Sequence, residues 1–341
     1  MNLNKKETAV LTKRVSSTQA KILKELLLDG RISEKEIAEN TGLTKENVKK
    51  NYHKMEKMGI ITGATTHINY RILDYKAVAY IIISVNRQHA DQLIEYLQKM
   101  PEVYSIYNRN IKGNLDVVTI LKTLEQLNSI KDQIKSCFQV SEMKTVIWTD
   151  VKEMNNNLAA ISDNRKNSAA LISKKVEDKS KLEPESVLII DDIDQKIIEV
   201  LSANGRIPIS TLANKLGIST DAAKNRYEKL NNNGVLKVTI QINPNKIGYR
   251  ALCIFFVAIS HENPHIIIKK IMKIPDIISI MKTTGDYDLQ IWAMVQDIDE
   301  LLLIQEELGK IQGITKIEIE MSRFNRTLEK WPTPKQYIST F

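Results

Sequence analysis

The 341-residue chain states one pattern twice. Gly30-Arg31-Ile32 returns as Gly205-Arg206-Ile207, Gly42 as Gly217, and Gly59 as Gly234, each 175 residues on (205 − 30, 217 − 42, 234 − 59). Glycine holds backbone positions that other residues take only at a cost, so matched glycines imply matched turns. Met100-Pro101-Glu102 pairs with Ile274-Pro275-Asp276, and Gly113-Asn114-Leu115-Asp116 with Gly285-Asp286-Tyr287-Asp288, at spacings of 174 (275 − 101) and 172 (285 − 113). Repeat one therefore carries small insertions at positions that read as loops. The unit is too long for a solenoid, so the chain is a duplicated module.

Two modules of two small domains each fit this length. The apolar runs Ala77 to Val85 and Ala251 to Ile259 are too short to span a bilayer, and Met1 to Arg14 lacks the apolar stretch of a signal peptide. Cys137 and Cys253 occupy unmatched positions, which argues against a disulfide framework and suits a reducing cytoplasm. The net charge of +8 fits a polyanion partner without requiring one.

Apolar residues at Ile22, Leu23, Leu26 and Leu27 mark a helix over Thr18–Leu28. Ser33 caps a second helix through Asn40, Gly42 ends it, and Thr44 caps a third running to about Met58, stopped by Gly59. The second copy reads Ile193–Ser202, Ile209–Leu216 behind Pro208, a turn at Gly217, and Ser219–Asn232 stopped by Gly234. Helix, short helix, glycine turn, longer helix is the order of a helix-turn-helix. The period then changes to strands: Ala77–Val85, Val103–Asn110, Leu115–Leu121 and Val140–Thr149, with helices at Ala90–Lys99 and Leu124–Ser136. The second copy gives strands Ala251–Ser260, Ile277–Thr283, Tyr287–Val295 and Ile314–Met321, with helices at Pro264–Lys273 and Ile298–Lys310. This β-α-β-β-α-β order predicts a ferredoxin-like unit whose open sheet face needs a partner. The expected class is α+β: two winged or helix-turn-helix domains alternating with two ferredoxin-like domains. The expected borders are 1–66, 67–151, a linker 152–190 with some helix near 159–171, 191–241, 242–325, and a tail 326–341 containing Trp331-Pro332-Thr333-Pro334 that serves as a docking extension or a free end.

A helix-turn-helix followed by a ferredoxin-like domain resembles the leucine-responsive/asparagine-regulator (Lrp/AsnC) family of archaeal and bacterial transcription regulators. The resemblance is strongest in repeat two. Ile193 to Ile198 resembles the family's opening helix, and Ile218-Ser219 through Arg226-Tyr227 to Gly234-Val235-Leu236 its recognition helix and exit turn. Asn243-Pro244 with Ile247-Gly248-Tyr249 resembles its hinge strand, and Thr284-Gly285-Asp286-Tyr287-Asp288-Leu289 its effector turn. Repeat one has Asn51 where repeat two has Arg226, and Gly113-Asn114-Leu115-Asp116 at the turn. The resemblance thus implies repeat two as the main reader and sensor, with weaker or altered binding in repeat one.

On the second recognition helix Ala223, Tyr227 and Leu230 share a packing face, as do Val48, Tyr52 and Met55 on the first. The outward sets supply the DNA-binding candidates: Lys45, Asn47, Lys49 and Lys50 in repeat one, and Thr220, Lys224, Asn225 and Arg226 in repeat two. Lysine and arginine meet phosphates or guanine edges, and asparagine pairs adenine. The alternative is a solvated face that touches nothing. Two heads in one chain can serve half-sites about 34 Å apart, with the sheet domains as an intrachain pseudo-dimer, or two chains can assemble as a homo-oligomer with four heads.

By resemblance, Thr284, Gly285, Asp286 and Asp288 would contact an amino-acid-like effector; turn chemistry alone is the alternative. No catalytic residue, metal site or cofactor is expected. His261 and His265 flank Pro264 in what reads as a turn, and phosphate loops and nucleophile elbows are lacking. Some relatives decarboxylate siroheme, so such an enzyme on this fold is one alternative, and an oligomerising scaffold without DNA binding is another. Double-stranded DNA is the expected partner, with no membrane, in the cytoplasm.

Overall fold

A computed structural model describes residues 15–70, 72–108, 114–154, 157–161, 189–260 and 263–323. The N-terminal arm, most of the linker, Gly113, His261 and the tail with Trp331-Pro332 lie outside the described residues.

Each head is three helices set by local signals. In head 1, α1 (Ser17–Leu28) and α2 (Glu34–Thr41) begin at capping boxes formed by Ser16 with Gln19 and Ser33 with Glu36. Gly42 ends α2 in the left-handed conformation (φ 70°), and the Thr44 side chain accepts from Asn47 N–H to open α3 (Lys45–Lys57). Head 2 has the same order, α6 (Asp192–Ala203), α7 (Ile209–Leu216) and α8 (Thr220–Asn232); the Asp191 and Ser219 side chains cap α6 and α8, and Pro208 stands at the head of α7 without a side-chain hydrogen bond. Ile22, Leu23, Leu26, Val48 and Met55 are buried in head 1, and Ile197, Leu201, Leu212, Ala223 and Leu230 in head 2.

Two strands were not foreseen. β1 (Ile61–Ile68) and β6 (Leu236–Ile242) follow the two heads and pair with each other, antiparallel, from Ile61↔Ile242 to Ile68↔Leu236. Each head then docks on the other module's strand. Gly30 N–H donates to Val238 O on β6, and Gly205 N–H to Ala64 O on β1. The glycines are required there, because a Cβ at Gly30 would stand 2.7 Å from the Thr239 carbonyl carbon and one at Gly205 2.8 Å from Thr65 O. The expected hinge strand at Asn243–Tyr249 is instead a short helix, α9 (Pro244–Ile247). Asn243 caps it and Gly248 closes it at φ 117°, because Pro244 suits a helix start and has no N–H for a ladder.

The sheet domains contain β2 (Ala77–Val85), α4 (Arg87–Leu97), β3 (Val103–Asn108), β4 (Asn114–Leu121), α5 (Leu124–Cys137) and β5 (Val140–Glu153) in module 1. Module 2 has β7 (Ala251–Ile259), α10 (Pro264–Ile271), β8 (Ile277–Thr284), β9 (Leu289–Val295), α11 (Ile298–Gly309) and β10 (Ile314–Arg323). Their registers superimpose at an offset of 174 residues: Val103↔Thr119 and Ala77↔Leu121 in module 1 match Ile277↔Ala293 and Ala251↔Val295 in module 2. The modules join into one eight-stranded sheet, β10-β7-β9-β8-β5-β2-β4-β3. β5 runs past its expected end at Thr149 because its second half pairs with β8, from Ile147↔Thr284 to Glu153↔Ser279. The borders expected at 66/67, 151/152 and 241/242 thus each fall inside a strand, since strands are what couple the domains.

The helix-free faces of the half-sheets pack on each other. Tyr80 and Val118 of module 1 meet Ile254 and Phe256 of module 2, with Trp148 and Trp292 beside them. Trp148 stacks on Tyr80 (5.9 Å between centroids) and donates its indole N–H to Gln290 Oε1 at 2.6 Å. Each open face finds the other, and burying each of the large side chains contributes about 1.5–3 kcal/mol.

After β5 the chain turns into a 3-10 segment, Ala159–Ile161, which wedges between α1 and module 2. Asn157 Nδ2 donates to Ile274 O and Ile277 O, Ala159 N–H donates to Asp276 Oδ1, and Leu158 and Ile161 are buried. The Tyr249 hydroxyl donates to Asp276 and accepts from Ala160 N–H. Burial, then the Asp276 carboxylate, pushes the Tyr249 phenol well above its usual range.

Candidate nucleic-acid interface and effector turn

The heads are fastened to each other by the arginines of the repeated Gly-Arg-Ile. Arg31 donates to Gly205 O (2.6 Å) and Ile207 O (2.8 Å), and its guanidinium lies 5.0 Å from the Tyr227 ring centroid on α8. Arg206 lies reciprocally 5.1 Å from the Tyr52 ring on α3. Desolvation lowers the Arg31 pKa from its ordinary value, with Arg206 adding to that effect. Each recognition helix thus packs its tyrosine against the other head's turn. Nothing in the sequence assigned these arginines a role; their place inside the repeated tripeptide was the available signal.

The outward face of α3 exposes Lys45, Glu46, Asn47, Lys49 and Lys50, with Lys54 and Lys57 farther along. None of its five lysines forms an ion pair among the described residues. Asn47 is engaged locally, accepting from Asn51 Nδ2 at 2.6 Å through its side-chain oxygen. The formal charge of α3 is +3 (five lysines, two glutamates), and that of α8 is +1 (two lysines and Arg226 against Asp221 and Glu228).

On α8, Thr220, Lys224 and Asn225 are exposed, and Lys224 lies 3.8 Å from Glu228. Arg226 departs from its expected outward role. Its Nη1 reaches Asp191 Oδ2 (2.7 Å) and Asp194 Oδ1 (2.8 Å), tying α8 to the start of α6. Asp194, whose side chain is fully buried, also accepts from Lys229 at 3.1 Å. The backbone N–H of Asp194, then Arg226, hold the Asp191 carboxyl below its usual range. A buried carboxylate on the neighbouring helix outcompetes solvent for the guanidinium, so Arg226 is committed to the fold of head 2. Repeat one presents more uncommitted positive charge, the reverse of the ranking that the resemblance implied.

At the effector turn Thr284, Gly285 and Asp286 are exposed, and Gly285 has φ 120° with open space beside its α-carbon. Asp288 is part of the turn's own bonding: its Oδ2 accepts from Ile259 N–H at 2.8 Å, and Thr283 Oγ1 donates to Tyr287 O. Thr284 pairs with Ile147 across the seam between modules, so the turn sits beside the intrachain junction. In module 1 the register offset of 174 corrects the sequence pairing: Asp116, buried on β4 opposite Ile82, is the counterpart of Gln290 opposite Phe256 and not of Asp288, while Gly113 lies outside the described residues.

Comparison with known proteins matches both heads and the second sheet domain. Residues 16–62 match a winged helix-turn-helix DNA-binding model, 190–231 an AsnC-type helix-turn-helix domain, and 252–323 the Lrp/AsnC ligand binding domain. The HTH-type transcriptional regulator FL11 of Pyrococcus furiosus is 31% identical over 127 residues, which cover 84% of that protein and 37% of this chain. This chain belongs to the Lrp/AsnC family. It is a DNA-binding transcription regulator with a ligand-binding domain. The domain type implies an amino-acid-like effector and oligomerisation. LrpA of Pyrococcus horikoshii is 32% identical over 93% of its length, again against 38% of this Lrp/AsnC chain. The relatives thus correspond to a single stretch of it. The two-module architecture is shared with the crystal structure of the siroheme decarboxylase NirDL, at a TM-score of 0.59, 16% identity, and coverage of 90% of this chain and 91% of that one. Identity that low shows the fold alone. No helix among the described residues is long and apolar enough to cross a membrane.

Proposed function

We propose that the chain regulates transcription as a two-headed reader in which head 1 carries most of the phosphate contact. The observation behind this reading is the exposed, uncommitted row Lys45, Lys49, Lys50 on α3, against one partly paired lysine, Lys224, on α8. Uncommitted lysines release condensed counterions when they meet phosphates, which drives binding to DNA. Head 2 adds Thr220 and Asn225 as polar contacts to base edges, and Asn47 plays that part in head 1. Because the Arg31 and Arg206 brackets couple the heads, two half-sites are engaged at one fixed separation. The heads differ, so the operator is an imperfect palindrome.

An amino-acid-like effector would sit at the turn of module 2, its carboxylate near the open backbone of Thr284 and Gly285 and its ammonium near Asp286. Asp288 supports the turn. We read the chain as a regulator without catalytic activity in the cytoplasm; the siroheme-decarboxylase alternative rests on shared shape, and shape does not carry chemistry.

Fluorescence anisotropy on genomic fragments recovered by footprinting tests the reading. The expected result is tight binding to sites with two half-sites and at least tenfold weaker binding when either half is scrambled. Equal affinity for scrambled DNA at moderate salt would overturn it.

A further inference from the structure

Module 2 turns a helical face to solvent that module 1 does not share. Helices α10 and α11 cover one side of its half-sheet and bury Ile267, Ile271, Leu301 and Leu308 there. β7 and β8 each pair antiparallel with β9, and β10 pairs antiparallel with β7, so the two connecting helices run in opposite directions. The outward side of this layer carries large apolar residues: Ile266 on α10 is 52% exposed, and Leu302 and Leu303 on α11 are 53% and 59% exposed. Its charges are segregated by helix. Lys269 stands in the last turn of α10 with Lys273 just beyond, and neither forms an ion pair among the described residues. Asp299 stands in the first turn of α11, also without an ion pair among them, and Glu306 lies farther along, beside Lys310.

The duplication provides an internal control. At the offset of 174 residues fixed by the strand registers, Ile266, Leu302 and Leu303 correspond to Gln92, Asn128 and Ser129, all exposed. Lys269, Asp299 and Glu306 correspond to Glu95, Glu125 and Asp132. The inward positions are apolar in both modules, with Leu93, Leu97, Leu127 and Ile134 buried in module 1. Covering the sheet therefore does not require apolar residues on the outer side of α10 and α11.

We propose that the α10–α11 face binds the same face of a second copy of this chain. A two-fold axis parallel to the helices sets α10 of each copy over α11 of the other, last turn against first turn. Lys269 and Lys273 then oppose Asp299 at both ends of the contact, and Ile266, Leu302 and Leu303 leave water at its centre. An axis across the helices would instead set lysine on lysine. The module 1 face would set Glu95 against Glu125 with no apolar centre, so assembly through this helical layer closes at two chains and four heads.

Sedimentation velocity on the full-length chain without DNA tests this, and its outcome leaves the reading of the heads untouched. The parent should sediment at twice the chain mass of 38.9 kDa. Leu302→Asp with Leu303→Asp should weaken self-association by roughly tenfold or more, with an unchanged melting temperature because both side chains are exposed. Two charge-reversed chains, one with Lys269→Glu and Lys273→Glu and the other with Asp299→Lys and Glu306→Lys, should each sediment as single chains. Mixed in equal amounts they should pair, since each reversed helix then meets its opposite charge. A parent that stays a single chain, a dimer unaffected by the double aspartate variant, or reversed chains that fail to pair when mixed would overturn the proposal.

Discussion

The guanidinium of Arg31 lies 5.0 Å from the ring centroid of Tyr227 while donating to two carbonyls of the opposite head, Gly205 O and Ile207 O. One side chain thus holds a turn of head 2 and flanks its recognition helix. Arg206 on Tyr52 makes the reciprocal contact. The spacing of α3 and α8 is therefore set inside one chain.

Arg31→Ala should separate affinity from spacing. The loss of both charge-assisted hydrogen bonds lets the heads move independently. Binding to a two-half-site operator should fall by about tenfold, with binding to an isolated half-site nearly unchanged. Anisotropy on both duplexes, and on operators with altered half-site separation, reads the difference. An unchanged preference for one separation would count against the bracket.

Gly205→Ala tests the docking of head 2 on β1. The added methyl would meet Thr65 O at 2.8 Å, closer than packing allows. The expected cost is about 1–3 kcal/mol, read as a lower midpoint in urea with a similar slope. Gly217→Ala has open space around it and should cost only the strain of its φ of 67°.

Arg226→Ala should damage stability before it damages DNA contact. Removing the guanidinium leaves the buried Asp194 carboxylate with Lys229 as its remaining ion-pair partner. We expect head 2 to melt several degrees lower, while the salt dependence of DNA binding below that temperature stays as in the parent chain. Calorimetry and salt titration together check this.

Tyr249 predicts an alkaline limb. Its folded pKa is raised by burial and by Asp276, so the folded state keeps a proton that the unfolded state releases near pH 10. Stability from this group is full below about pH 10 and is lost as pH climbs from there toward the folded value. Tyr249→Phe should cost about 1–2 kcal/mol at neutral pH through lost hydrogen bonds, and should flatten the decline above pH 10. Denaturant midpoints at pH 8 and at pH 10.5 decide it.

The heads were legible because their signals are local. Ser33, Gly42, Thr44 and their counterparts fix helix ends within a few residues, and the structure places each boundary near its expected position. The strands flanking α4, α5, α10 and α11 were legible from their apolar periods. What escaped is non-local. β1 and β6 satisfy their ladders with partners nearly half the chain away, and the length of β5 beyond Thr149 exists only because β8 receives it. Asn243–Tyr249 looked extended because a four-residue helix is too short to show a period. Among the site residues, Lys45, Lys49, Lys50, Thr220, Lys224 and Asn225 face outward as their helical spacing required. Arg226 does not, since its competing partners, Asp191 and Asp194, stand 35 and 32 residues upstream on another helix. Charge type was readable from the chain, whereas charge commitment required the tertiary structure.

The unequal heads are tested most directly by the dependence of DNA affinity on salt. The slope of log affinity against log salt should shrink by about 1 for each phosphate-contacting lysine removed. We predict a loss of about 3 for Lys45→Ala, Lys49→Ala and Lys50→Ala combined, and of at most about 1 for Lys224→Ala. A larger change on removing Lys224, or an unchanged slope in the triple variant, would contradict the assignment of head 1 as the principal DNA contact.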